Sequence, residues 1–213
     1  MSKAECTKQR IIAKSAIAFN KNGYAGSSIA DIVKLTGLQR GGIYHYFKSK
    51  DEIAVAAFDY TLGLILKAVM TKVSTQSTAI DRLHAFVDSF QGFTTQPIAV
   101  GGCPILNTAV ESDDTHPKLR RHVQGAVNDI RAFICSIVEL GIRQGEIVAS
   151  TDHEQVSTIL FVTIEGAIMM SKLYGTDVYL DRAIEHLHQY IDGLSMWEGT
   201  RPPTSSLKGY LNS

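Results

Sequence analysis

An all-α fold is what this sequence predicts, on three observations. Apolar residues recur at the 3.6-residue helical period through most of the 213 residues. No strand-like alternation is sustained, and glycine or proline falls where the periodic segments must stop or start. Hydrophobic residues make up 45% of the chain, enough to fill a packed core. The expected organisation is a three-helix, helix-turn-helix domain in residues 1–50, a helical domain over 51–195 and a flexible tail over 196–213.

Residues 1–6 are expected to be a mobile arm. From Thr7 to Asn22, Ile11, Ile12, Ser15, Ala16 and Phe19 share one face opposite the lysines and Arg10, an amphipathic helix closed by Gly23. Ser28 followed by Asp31 is a capping box that starts the next helix. Ile29, Ile32, Val33 and Leu35 mark its inner face, and Gly37 can take the left-handed conformation that ends it. Leu38 re-enters the core. The segment Gln39 to Phe47 then sets Arg40, Tyr44, His45 and Lys48 among apolar Ile43, Tyr46 and Phe47. Two short helices joined by a glycine turn, the second rich in donors, read as a helix-turn-helix whose second helix enters a major groove.

Charge placement agrees with that reading. The net charge is zero, which alone argues against a nucleic-acid partner. Residues 1–50, however, hold nine Lys/Arg against two Asp/Glu, giving +7, and the remainder holds twelve against nineteen, giving −7. The N-terminal quarter is the phosphate-seeking part.

Residues 8–53 resemble the DNA-binding domain of the TetR family of bacterial transcriptional regulators. The residues that carry the resemblance are Phe19, Gly23, Tyr24, Ser28, Asp31, Ile32, Gly37, Leu38, Ile43, Tyr44, Tyr46, Phe47, Lys50 and Ile53. The resemblance implies that Tyr44, His45 and Lys48, with Ser27 or Ser28, contact backbone phosphates of double-stranded DNA. Gln39 and Arg40 are the candidates for base contacts, because Arg pairs with the guanine edge and Gln with adenine. Gly42 departs from the family pattern, which more often has a small hydroxyl residue or Ala there. The adjacent glycines Gly41 and Gly42 weaken a helix by roughly 1 kcal/mol each, which points to close backbone approach to the groove or to a helix that orders on DNA.

Beyond the head, Lys50 to Met70 reads as a longer helix with no flexible linker before it. Ile80 to Phe90 and Leu119 to Val138 each carry an apolar face, and Cys103 to Glu111 reads as a short helix after the glycine- and proline-broken stretch 91–102. Pro117 suits a helix start, where its missing N–H is harmless. Val156 to Tyr174 is apolar almost all round and Asp181 to Leu194 follows it.

The family resemblance implies that these last two helices form a homodimer interface, with Val156, Ile159, Val162, Gly166, Ala183, Ile184, Leu187, Tyr190 and Ile191 as candidates. Two heads would then read a palindromic operator. It also implies an apolar effector pocket within residues 60–175, for which Phe86, Phe90, Phe93, Cys103, Asn107, Phe133, Met169, Met170 and Tyr174 are candidate lining. The small molecule itself is not legible. Cys103, at a helix N-terminus where the dipole favours thiolate, is an alternative switch that senses electrophiles or oxidants. A further alternative is a helical small-molecule-binding protein without DNA binding, which only the Gly41 and Gly42 pair supports.

Other chemistry is excluded by pattern. Cys6, Cys103 and Cys135 form no CxxC pair and there is no apolar leader, so free thiols in a reducing cytoplasm are expected. The longest apolar run, Ile159 to Met170, contains Glu165 and falls short of the roughly 18 residues of a membrane span. His84 with Asp88, His186 with Tyr190, and His116 with His122 lack a third ligand at metal spacing. No hydrolase, Walker-type, Rossmann or zincin pattern is present. Neither a cofactor, a metal nor an enzymatic activity is expected.

Overall fold

The computed structural model describes residues 2–114 and 116–196, so all of the expected tail beyond Met196 lies outside the described residues. The helices are α1 (Lys3–Asn22), α2 (Ile29–Thr36), α3 (Arg40–Tyr44), α4 (Lys50–Val73), α5 (Ala79–Asp88), α6 (Pro104–Ser112), α7 (Pro117–Gln144), α8 (His153–Tyr174) and α9 (Val178–Asp192). Apart from an isolated bridge between Ile147 and Ser195, the regular structure among the described residues is helical.

Local signals account for most of the boundaries. The Ser28 hydroxyl accepts from the Asp31 N–H, the Asp31 carboxylate accepts from the Ser28 N–H, and Gly37 ends α2 at φ 68°. Pro117 opens α7 as expected. The arm expected over residues 1–6 is instead helical from Lys3, because Ser2 and Glu5 form a second capping box. Leu35, expected inside, lies on the outer face of α2. The recognition helix is shorter than Gln39 to Phe47: α3 ends at Tyr44, and the chain turns through His45 and Tyr46 before Phe47 plugs into the core.

The head has its own core of Ile11, Ile12, Ile32, Ile43, Phe47 and Ile53. Ile53 belongs to the first turn of α4, while from Phe58 onward α4 joins the larger core of the body. One continuous helix therefore carries both cores. In the body α8 packs between α7 and α9, and α5 lies against α4, α7 and α9. Gly141 permits the close crossing of α7 and α5, since a Cβ there would stand 2.7 Å from Ala79 Cβ and 2.6 Å from Ile147 Cδ1.

A polar cluster ties α5 to α9. Nδ1 of His84 faces Nδ1 of His188 at 2.5 Å, and the outer nitrogens meet Asp192 at 3.0 Å and Asp88 at 2.8 Å. By length and composition α4 and α8 are apolar enough to cross a membrane. Both pack against other helices and contribute to the cores, while α8 also keeps apolar residues such as Val162, Met169 and Leu173 exposed.

Candidate functional site

The head presents α3 outward. Gln39 and Arg40 at its start are exposed, as are Tyr44, His45 and Lys48. The Arg40 guanidinium lies over the Tyr44 ring at 5.7 Å, which holds a flexible side chain near the helix surface. Ser28 is exposed, but its hydroxyl already caps α2 and donates to Asp31 Oδ2 at 2.6 Å. Ser27, expected beside it as a phosphate contact, is 2% exposed and its hydroxyl is turned into the head. The residue before the cap is tucked inward as the chain enters the helix. A Cβ at Gly41 would meet nothing within 4 Å and one at Gly42 only Leu38 Cβ at 3.9 Å. Nothing in the free head requires either glycine.

Behind this surface the head is fastened to α6. The Glu111 carboxylate accepts the backbone N–H groups of Tyr24 and Ala25, each at 2.6 Å. Asn107 Nδ2 donates to the backbone and side-chain oxygens of Asn20, at 3.0 Å in each case, and Asn20 Nδ2 donates to Val100 and Gly102 carbonyls. The Tyr24 hydroxyl donates to Asp51 Oδ1 at 2.5 Å, and His116 Nε2 stands 3.2 Å from the same oxygen. Burial, then the hydrogen bond to Asp51 and its charge, push the Tyr24 phenol up to about 12. The Tyr24 hydrogen bond holds the Asp51 carboxyl below its usual value, against a smaller opposing effect of burial.

The body holds a narrow, mostly apolar cavity that opens to solvent at its mouth. Phe86, Phe90, Phe93 and Cys103, named above as candidate effector contacts, stand in its wall with Phe161 and Glu165. The other expected residues lie elsewhere. Asn107 is spent on the head seam, and Phe133 and Met170 are outside the cavity wall. Met169 and Tyr174 are 48% and 61% exposed on the outer side of α8. Periodicity shows that α8 is apolar all round, but it does not say which side meets the cavity.

Cys103 does sit at the N-cap of α6, yet the expected lowering of its pKa is reversed. The thiol is buried, donates to Glu165 Oε1 at 3.0 Å, and is pushed well above its ordinary value by burial and the neighbouring carboxylate. The helix dipole is outweighed. Burial likewise raises the Glu165 carboxyl. Glu165 was the missed residue of this site, and its signal was a lone acid inside the longest apolar run.

On the dimer candidates the structure divides the set. Val156, Ile184, Leu187 and Ile191 are buried in the subunit's own core, since α9 turns that side toward α5 and α8. Ile159, Ala183 and Tyr190 are half-buried, and Val162 and Gly166 are exposed. Val162, Met169 and Leu173 form an outward apolar stripe along α8.

One juxtaposition escaped the metal reading. Ligand atoms of Cys135, His153 and Glu154 lie within 4.8 Å of one another where α7 meets the start of α8. The sequence separates Cys135 from the other two by the last turns of α7 and the connection to α8, so spacing gives no hint of it. Glu154 is already bound to Arg131 at 2.5 Å and His153 stands 3.5 Å from Glu139, an ion-pair cluster in its own right.

A basic helix-turn-helix head with an exposed recognition helix, fused through one helix to an all-α body with an internal cavity, defines a DNA-binding transcriptional regulator. Residues 11–57 match the family described as bacterial regulatory proteins, tetR family, and residues 79–187 match the tetracyclin repressor-like C-terminal domain. The chain belongs to the TetR family.

Among solved structures it is similar to a TetR transcriptional regulator from Chloroflexus aurantiacus J-10-FL, with 39% identity, TM-score 0.87, and coverage of 92% of this chain and 98% of that one. A TetR-family regulator from Cytophaga hutchinsonii gives 32% identity and TM-score 0.87, covering 93% and 99%. By sequence it is similar to the HTH-type transcriptional regulator TtgR of Pseudomonas putida, 28% identical over 171 residues, which are 78% of this chain and 80% of that one.

Proposed function

We propose that this regulator is a cytoplasmic homodimeric repressor that binds a palindromic operator and leaves it when a small molecule enters the body cavity. It carries out no catalysis and needs no cofactor in this reading. The observation that carries it is the position of α6. Cys103 and Ile105 at its start form cavity wall, while Asn107 and Glu111, one and two turns on, hold the head at Asn20, Tyr24 and Ala25. A ligand that shifts the start of α6 shifts the anchor of the head. Release requires the ligand to prefer the conformation in which the heads are wrongly spaced, since equal affinity for both states moves nothing.

In this reading Gln39 and Arg40 contact bases, and Tyr44, His45, Lys48 and Ser28 contact phosphates. Ser27 supports the cap from inside. The outward stripe of Val162, Met169 and Leu173 on α8, with Ile159, Gly166 and Tyr190, is the proposed dimer surface. Two heads about 34 to 36 Å apart would meet successive major grooves.

A gel shift against the DNA flanking the regulator's own gene tests this. Retarded DNA at low salt, weakening steeply as salt rises, is the expected result, together with a dimer in sedimentation. A protein that retains no fragment, or that sediments as a single subunit, overturns it.

A further inference from the structure

The cavity wall contains one group that its apolar surroundings do not satisfy. Oε1 of Glu165 accepts a hydrogen bond from the Cys103 thiol, but Oε2 is sealed from solvent and has no hydrogen-bond partner among the described residues. The rest of the wall is aliphatic or aromatic, and none of the described residues lining it is basic. A carboxylate oxygen so placed lacks a donor, and its charge lacks a counter-ion. Phe86, Phe90, Phe93 and Phe161 stand in the same wall, with Phe86 and Phe90 edge to face at 5.6 Å and Phe90 and Phe93 tilted at 5.9 Å. Aromatic faces attract cations and exclude anions.

We infer that the effector is a lipophilic amine, its apolar body packed among the cavity phenylalanines and its protonated nitrogen donating to Glu165 Oε2. This rests on the reading of the cavity as the effector site, and it names the chemical class that site selects. An ammonium supplies both the missing hydrogen bond and the missing charge. A hydroxyl supplies the bond alone, and a carboxylate adds a second negative charge to a desolvated one. Burial raises the Glu165 carboxyl, so the site also titrates. Amine affinity falls on acidification, beginning above the ordinary glutamate value of about 4.3.

The test uses three probes on one skeleton, 4-phenylbutylamine, 4-phenylbutanol and 4-phenylbutyrate, titrated calorimetrically into the full-length protein without DNA. The amine is expected to bind about tenfold or more tighter than the alcohol, and the acid weakest. Glu165→Gln, nearly isosteric, should reduce the amine to the affinity of the alcohol while leaving the helical circular dichroism unchanged. Equal or inverted ranking in the wild type overturns the inference, as does absence of binding by all three, or a preference for the amine that survives Glu165→Gln. If the variant does not fold, the wild-type ranking still decides. Because no DNA is present, failure of operator binding or release leaves this result standing, and a failed ranking leaves the regulator reading untouched.

Discussion

The carboxylate of Glu111, in the last turn of α6, accepts the backbone N–H of Tyr24 at 2.6 Å and so joins the body to the head at the turn between α1 and α2. Its other oxygen takes the N–H of Ala25. The approach depends on Gly23, whose φ of 78° suits glycine and whose absent Cβ would stand 2.7 Å from Glu111 Oε2. The Gly23 and Tyr24 pair thus meets a carboxylate 87 residues further along the chain.

Glu111→Ala leaves two backbone donors without this acceptor. Loss of charge-assisted hydrogen bonds at a half-buried seam is expected to lower the unfolding free energy by about 1–3 kcal/mol, read by urea denaturation. It should also uncouple the cavity from the head, so that a ligand able to release the wild type from its operator releases the variant less. Unchanged stability together with unchanged release would remove Glu111 from the coupling path.

Asp51 makes part of this seam sensitive to acid. The Tyr24 hydrogen bond depresses the Asp51 carboxyl, so the stability it contributes is fully present above the ordinary aspartate value of about 3.9 and is lost as pH falls through the lower folded value. Tyr24→Phe removes the donor. The stability gap between wild type and Tyr24→Phe is therefore expected to stay level down to about pH 5 and to narrow below about pH 4. A gap that widens in acid contradicts the assignment.

Cys103 is expected to be a poor nucleophile. Its thiol is buried, hydrogen-bonded to Glu165 and shifted upward, all of which disfavour thiolate. At neutral pH iodoacetamide should modify exposed Cys6 well before Cys103, as followed by peptide mass spectrometry. Faster labelling of Cys103 would restore the thiol-sensor alternative.

On the recognition surface the two kinds of contact have different signatures. Arg40→Ala is expected to cost about 1–3 kcal/mol at the base pair it reads and to relax discrimination there. Lys48→Ala should weaken all sequences alike and reduce the salt slope by about one unit. Both are measured by titrating operator variants at several salt concentrations, and an Arg40→Ala effect equal for every sequence contradicts its role at a base.

The head was legible because its signals are local. The cap at Ser28 and Asp31, the left-handed Gly37 and the buried Ile32, Ile43 and Phe47 each follow from near neighbours in the sequence. Even the missed start of α1 had a local signature in Ser2 and Glu5. The body was legible only as helices. Which sides of α8 and α9 face inward is set by their neighbours in the fold, so Met169 and Tyr174 do not line the pocket that periodicity suggests for them, and Val156 and Leu187 do not reach the surface. The meetings of Glu111 with Tyr24, Cys103 with Glu165 and His84 with His188 all join residues more than sixty positions apart, and no periodicity encodes them.

Gly42 offers the sharpest separation of stability from function. Alanine there fits, with Leu38 Cβ 3.9 Å from the added methyl, and the backbone is not in the left-handed region. Gly42→Ala is therefore expected to stabilise the free head by about 0.5–1 kcal/mol, since glycine in a helix costs more backbone entropy than alanine. If the missing side chain serves close approach of α3 to a groove, or a helix that completes its order on DNA, the same change weakens operator binding or blurs its specificity. Melting curves of the free protein and operator titrations of the same preparation give the two numbers. A variant that is more stable and binds with unaltered affinity and specificity would leave both explanations of the glycine pair without support.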